Sequence, residues 1–323
     1  MKFKSLIVIF ACLLLSSQLI GQKPTAKNRY PQAGHVKIKL NLIALEESGE
    51  YIEDLKPSDI TLKEDGVEQQ VTSLKKKVPP TGVGLVFDNS GSMRLLLSTL
   101  DAAGKTVVAN LGEKDEGFVI RFVSSDKIEV LQNFTNVKAD LVLAIDNLFL
   151  EGGRTALFDA LSLASEKVVE QEEKTPKNRF AIIVMSDGVE VNSCYDLTHL
   201  LKTIDGSDVQ IFPLFFISEV DDGYNSTSKR RLERSNAIRL GQVLALQTGG
   251  IATFFETSPK EDELNSALRT LIVEIRSQYV IEYTSTNQKR DGKTRSLQVT
   301  ITDGPNGEKR TGHIRPSFTV PKD

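Results

Sequence analysis

The sequence predicts an α/β chain: a doubly wound, mostly parallel, Rossmann-like sheet with a small accessory β-domain formed from both termini. Three observations lead there. Continuous apolar runs at 83–87, 180–185 and 209–217 have the length of strands covered on both faces. Segments of helical apolar spacing lie between them. Both ends of the chain instead alternate apolar and polar residues, as half-buried strands do.

The elements follow in order. Val36, Ile38, Leu40 and Leu42 alternate with Lys37, Lys39 and Asn41. Strand-like residues 60–64 and 67–71 flank Asp65-Gly66, a strong hairpin signal. Pro79-Pro80-Thr81-Gly82 marks a boundary. Beyond it, Leu96, Leu100, Ala103, Val107 and Leu111 keep helical spacing, and 117–123 and 128–131 read as strands. Leu157, Ala160, Leu161, Ala164 and Val168 form another apolar stripe. Further helices fit 196–205, 233–247 and 261–277, with a short strand at 251–255. The polar stretch 219–235 reads as a loop on the rim of the sheet, either a place for partner recognition or simply a solvated loop. Strand texture returns at 279–283, 295–301 and 314–320. The expected division is an N-terminal β segment at 23–78, an α/β domain at 79–277, and a C-terminal β segment at 278–323 that pairs with the first.

Composition narrows the function classes. With 40% hydrophobic and 26% charged residues, the chain is an ordinary globular protein. A net charge of -3 with no long basic block argues against general nucleic-acid binding. Residues 1–22 have the pattern of a secretory signal: Lys2 and Lys4, an apolar run at 6–15, then Ser16-Ser17-Gln18. The run falls short of the ~20 residues a membrane span needs. The protein is therefore expected to be exported, whether periplasmic, secreted or held at the cell surface. Cleavage removes Cys12 and leaves Cys194 alone, so no intramolecular disulfide is expected. Membrane contact is expected only if the leader is retained or Cys12 is lipidated, and the residues before Cys12 match lipoprotein signals poorly.

The chemistry concentrates at Asp88-Asn89-Ser90-Gly91-Ser92, directly after the first buried run. Asp88, Ser90 and Ser92 place three hard oxygens on one tight loop, which suits Mg²⁺ or another hard divalent cation rather than zinc. Gly152-Gly153-Arg154-Thr155 opens a helix, and Ser186-Asp187-Gly188 ends a second apolar strand. In open α/β sheets ligands sit beyond the carboxyl ends of strands, where the strand order reverses. In the order 3-2-1-4-5-6 the first and fourth strands are neighbours, and Asp88, Ser90, Ser92, Thr155 and Asp187 converge. Ser90, Ser92 and Thr155 then offer neutral hydroxyls, while Asp88 and Asp187 supply charge directly or through water.

These residues resemble the metal-ion-dependent adhesion site of von Willebrand factor A domains, over roughly residues 79–277. Leu55-Lys56-Pro57-Ser58-Asp59-Ile60, Glu64-Asp65-Gly66-Val67-Glu68-Gln69 and Tyr279-Val280-Ile281-Glu282-Tyr283 are similar to the flanks of exported von Willebrand factor A-related proteins of Acidobacteria. The resemblance implies a module that binds Mg²⁺ (alternatively Mn²⁺ or Ca²⁺) and engages an Asp or Glu of a protein or matrix partner. The alternative is a scaffold or assembly subunit whose metal only stabilises the fold. Arg154 departs from the glycine that many relatives have before the threonine.

Competing chemistries are weaker. Asp-x-Ser-x-Ser by itself can serve merely to cap the following helix. Gly104-Lys105-Thr106 lacks the upstream glycine of a phosphate loop, with Thr99 in its place. His35, His199 and His313 form no zinc pattern. Neither serine sits in a Gly-x-Ser-x-Gly elbow, and no nucleophile or general base stands beside the cation, so catalysis is not expected.

Overall fold

The computed structural model describes residues 35–76, 79–205, 207–219, 227–320 and 322. The leader at 1–22, Cys12, the polar segment that follows to residue 34, and 220–226 of the polar stretch lie outside the described residues.

Strands β1 (Lys37–Glu46), β2 (Ile60–Glu64), β3 (Val67–Gln69) and β4 (Val71–Lys76) come first. The α/β part runs β5 (Thr81–Asp88), α1 (Leu97–Ala109), β6 (Glu116–Phe122), β7 (Ile128–Thr135), α2 (Lys138–Asp146), α3 (Leu157–Lys174) and β8 (Arg179–Ser186). It continues through α4 (Leu197–Thr203), β9 (Gln210–Phe215), α5 (Thr227–Thr248), β10 (Thr253–Phe254) and α6 (Glu261–Arg276). The chain closes with β11 (Tyr279–Thr284), β12 (Thr294–Ile301), β13 (Arg310–His313) and β14 (Ser317–Thr319).

The central sheet has the order β10-β9-β8-β5-β6-β7, and only the β6–β7 pair is antiparallel. Counted within this sheet, the order is the doubly wound 3-2-1-4-5-6, so β5 and β8 are neighbours. Every residue of β5, β8 and β9 is buried, as their unbroken apolar runs require. Val83, Leu85 and Phe87 face a core closed by α1, α2 and α6. Val86 faces the opposite core, closed by α3, α4 and α5. On that second face Gly84 makes room for an aromatic ring: a Cβ there would lie 2.3 Å from Phe118 Cζ. Gly104 does the same for Phe87, at 2.6 Å from its Cζ. The glycine of the false phosphate motif is thus a packing feature inside α1.

The ends of the chain pair into two further four-stranded sheets, β13-β1-β11-β4 and β14-β12-β2-β3. Ile38, Leu40, Leu42, Leu62, Ile281, Leu297 and Phe318 fill the space between them. A buried ion pair crosses this core. Arg295 Nη1 lies 2.8 Å from Glu64 Oε1, with both residues at 2% exposure or less. The Tyr283 hydroxyl donates to Glu64 at 2.9 Å and Ser285 Oγ donates at 2.7 Å, so the carboxylate is fully engaged. The two parts share packing: Ile43 of β1 belongs to the core of the central sheet, and Arg315 Nη1 donates to the Ser207 carbonyl at 2.7 Å.

Three local features differ from the sequence expectation. Helix α2 was not anticipated, because nine residues carry only a short apolar stripe, Leu141, Ala144 and Ile145. Strand β13, with the residues Arg-Thr-Gly-His, lacks apolar alternation altogether. Residues 227–235, expected in a loop, form the start of α5, on which Arg231 and Ser235 are exposed.

Two consequences follow for stability. Removing Arg295 strands a buried carboxylate, which typically costs roughly 3–5 kcal/mol. Arg295→Met should therefore lower the urea midpoint strongly, whereas Lys63→Met on the exposed face of β2 should leave it nearly unchanged. Separately, burial pushes the Glu274 carboxyl of α6 up to about 7, against 4.5 when unfolded. The folded state favours the neutral acid, so stability falls as pH rises from 4.5 to 7 and is level above that. Glu274→Gln should remove this slope and gain up to about 3 kcal/mol at pH 8 but little at pH 4, read from denaturation curves at both values.

Candidate metal centre

Parallel pairing sets the geometry. Phe87 of β5 is in register with Met185 of β8, which brings the next residues, Asp88 and Ser186, side by side at the carboxyl ends. Ser186 Oγ donates to Asp88 Oδ2 at 2.6 Å. The second Asp88 oxygen accepts from the Ser90 backbone N–H at 2.9 Å, which turns the chain sharply into the serine loop. Ser90 Oγ and Ser92 Oγ then lie 3.0 Å apart. Neither hydroxyl caps the 3₁₀ turn at Gly91–Leu96 or the start of α1. The capping role that would explain these serines without a ligand is not taken.

Asp187 follows β8 directly, and its Oδ1 accepts from the Val189 N–H at 2.9 Å. Gly188, at φ +77°, makes the turn between them, a conformation L side chains rarely adopt. Thr155 is buried on the third loop, just ahead of α3. Its carbonyl accepts from the N–H groups of Val191 and Asn192, both at 3.0 Å, which ties this loop to the one after β8. Asp88, Ser186 and Asp187 thus form one cluster and Ser90 with Ser92 another, while Thr155 is held to the assembly through its backbone.

Several supporting residues escaped the sequence reading. Asn89, fully buried, donates from Nδ2 to the Phe149 carbonyl at 2.7 Å and accepts from the Glu151 N–H at 3.0 Å through its own carbonyl. It links the first and third loops. Glu190 accepts from the Phe158 N–H at 3.0 Å and from Ser193 Oγ at 2.8 Å. Asp159 accepts from the N–H groups of Cys194 and Tyr195, each at 2.8 Å. Together they dock the loop after β8 onto the first turn of α3. The alternation of acids with Ser and Asn in these loops was the available signal, but it does not specify which backbone amide each acid meets.

Electrostatics favour a cation here. Asp88 is wholly buried and Asp187 nearly so, at 2% exposure. Burial first, and then the charge of Asp187, push the Asp88 carboxyl up to about 7, against the pull of its hydrogen bonds to Ser186 and Ser90. Two carboxylates this close in a low-dielectric site need a proton or a positive ion between them. The donors are all oxygens, two anionic and three neutral, which fits a hard divalent ion that keeps part of its water. Among the described residues, no group of three or more His, Cys, Asp or Glu side chains assembles into an alternative metal site. Cys194 is exposed and free.

The family model of the von Willebrand factor type A domain matches residues 83–238. No curated protein sequence matches the chain significantly. Among solved structures, a von Willebrand factor type A protein from Catenulispora acidiphila is 13% identical, covers 91% of this chain and 75% of its own, and has a TM-score of 0.46. An aerotolerance-related membrane protein from Bacteroides fragilis is 20% identical, over 60% of this chain and 98% of its own, with a TM-score of 0.46. BatB, a conserved hypothetical protein from Bacteroides thetaiotaomicron, is 18% identical over 60% of this chain and 97% of its own, with a TM-score of 0.43. The matched segment, just under half of the chain, takes in strands β5 to β9 of the central sheet and all five oxygen-bearing residues, so residues 83–238 are similar to a von Willebrand factor type A domain.

Proposed function

We propose that the protein is an exported module that binds a partner through a divalent cation held by Asp88, Ser90, Ser92, Thr155 and Asp187. The observation that carries the reading is the pair of buried carboxylates at adjacent strand ends, with the mutually bonded Ser90 and Ser92 hydroxyls on the adjoining loop. A protein-interaction role is the common property of the family, and the leader pattern at 1–22 supports export. No helix of the described residues is long and apolar enough to cross a membrane.

Mg²⁺ is the first choice of ion, with Mn²⁺ and Ca²⁺ as alternatives. When bound, it supplies an electron-poor centre with coordination positions open to an oxygen ligand. The protein's part is to fix the oxygens: Ser186 orients Asp88, and the Val189 amide orients Asp187. The partner would contribute an Asp or Glu carboxylate as a further oxygen ligand to the bound ion. The role proposed is binding rather than catalysis, because both buried carboxylates are assigned to holding the ion.

Calorimetric titration with Mg²⁺ and Mn²⁺ tests the site. One saturable event per chain is expected in the wild type, weakened by more than tenfold in Asp88→Ala. Retained binding in Asp88→Ala would contradict the assignment. A thermal shift with Mg²⁺ in the absence of any chelator-sensitive partner would instead support a scaffold whose ion only stiffens the loops.

A further inference from the structure

Charge in the three site loops is unevenly satisfied. Their acids are Asp88, Glu151, Asp187, Glu190 and Asp196, and each has a structural role. Glu151 pairs with Lys127 at 2.7 Å and Arg121 at 3.4 Å. Glu190 accepts from Phe158 and Ser193, and Asp196 caps α4 by accepting from the His199 N–H. Asp88 and Asp187 belong to the metal centre. The basic residues of the same loops are Arg94, two positions after Ser92, and Arg154, immediately before Thr155. Both are exposed, and neither has an ion pair or side-chain hydrogen bond with any described residue. Nearby lysines differ: Lys105 and Lys127 are each held by carboxylates.

Resting on the metal reading above, we propose that the natural partner is an acidic protein segment, in which one carboxylate meets the ion and neighbouring carboxylates meet Arg94 and Arg154. A divalent ion balances Asp88 and Asp187 and leaves the two exposed arginines of the same loops uncompensated. A single partner carboxylate neutralises only one of these positive charges, so an isolated acid leaves the rim electropositive. Guanidinium suits this task, because its planar fork pairs bidentately with a carboxylate. The rim is open to a partner backbone: a Cβ built at Gly91 or Gly152 would meet nothing within 4 Å. Leu95, 80% exposed beside Arg94, adds an apolar contact for the same segment.

The test uses the exported chain with Mg²⁺ and three labelled probes read by fluorescence anisotropy. These are a capped peptide with one aspartate flanked by serines, the same peptide with the serines replaced by glutamates, and a single-stranded oligonucleotide. Each exposed arginine–carboxylate pair contributes roughly two- to fivefold, so the glutamate-flanked peptide should bind about five- to tenfold more tightly than the serine-flanked one. That advantage should shrink with salt and vanish in the double variant Arg94→Gln/Arg154→Gln. The same double variant should bind Mg²⁺ itself more tightly, because two cations no longer crowd the ion; this readout needs no partner. Equal binding of both peptides, an advantage unchanged in the double variant, or tighter binding of the oligonucleotide would overturn the acidic-segment proposal and leave the metal reading intact. Binding of neither peptide at saturating Mg²⁺, or binding insensitive to chelator, would overturn the metal-dependent reading and this proposal with it.

Discussion

The pairing of β5 with β8 is the constraint on which the rest depends. Both strands are buried along their whole length, so neither can slip by one residue without driving apolar side chains into the wrong core. A fixed register between two buried strands also fixes their ends. It is this that sets Asp88 beside Ser186 and Asp187, against the repulsion of two carboxylates out of water. The hydrophobic cores on the two faces supply the stability that holds such an unfavourable pair in place. The cost is local: the neighbouring charges are relieved by a proton on Asp88, and the proposed cation would relieve them in the same way.

The loops around the pair are held largely by side chains bonded to backbone groups of neighbouring loops. Asn89 joins the serine loop to the segment before α3, Thr155 joins that segment to the loop after β8, and Glu190 with Asp159 secures the latter to α3. Three loops from distant parts of the chain are therefore tied to one another. On the proposed metal reading, such lacing would lower the ordering cost of binding an ion.

Much of this was legible in the residues. An unbroken apolar run ending in Asp-x-Ser-x-Ser marks a buried strand that delivers oxygens to its carboxyl end, and a second run ending in Ser-Asp-Gly marks its neighbour. The doubly wound class followed from the alternation of strands and helices, whereas the strand order itself came from the structure. What stayed hidden was long-range or short. Arg295 and Glu64 are 231 residues apart, and nothing in either segment names the other as a partner. After Gln69 the chain leaves one sheet, and from Val71 it pairs in another; an uninterrupted strand-like run conceals that change. Helix α2 and strand β13 are too short for their periodicity to register. Asn89 and Ser186 read as spacer residues because their partners are a backbone carbonyl and an oxygen across the sheet.

The most direct test of the central claim is anomalous diffraction from a crystal of the protein grown with Mn²⁺. The account predicts one strong manganese peak enclosed by Asp88, Ser90, Ser92, Thr155 and Asp187, with ion–oxygen distances of about 2.2 Å for direct ligands. A fully occupied peak elsewhere, or none at this site in a crystal saturated with Mn²⁺, would contradict it.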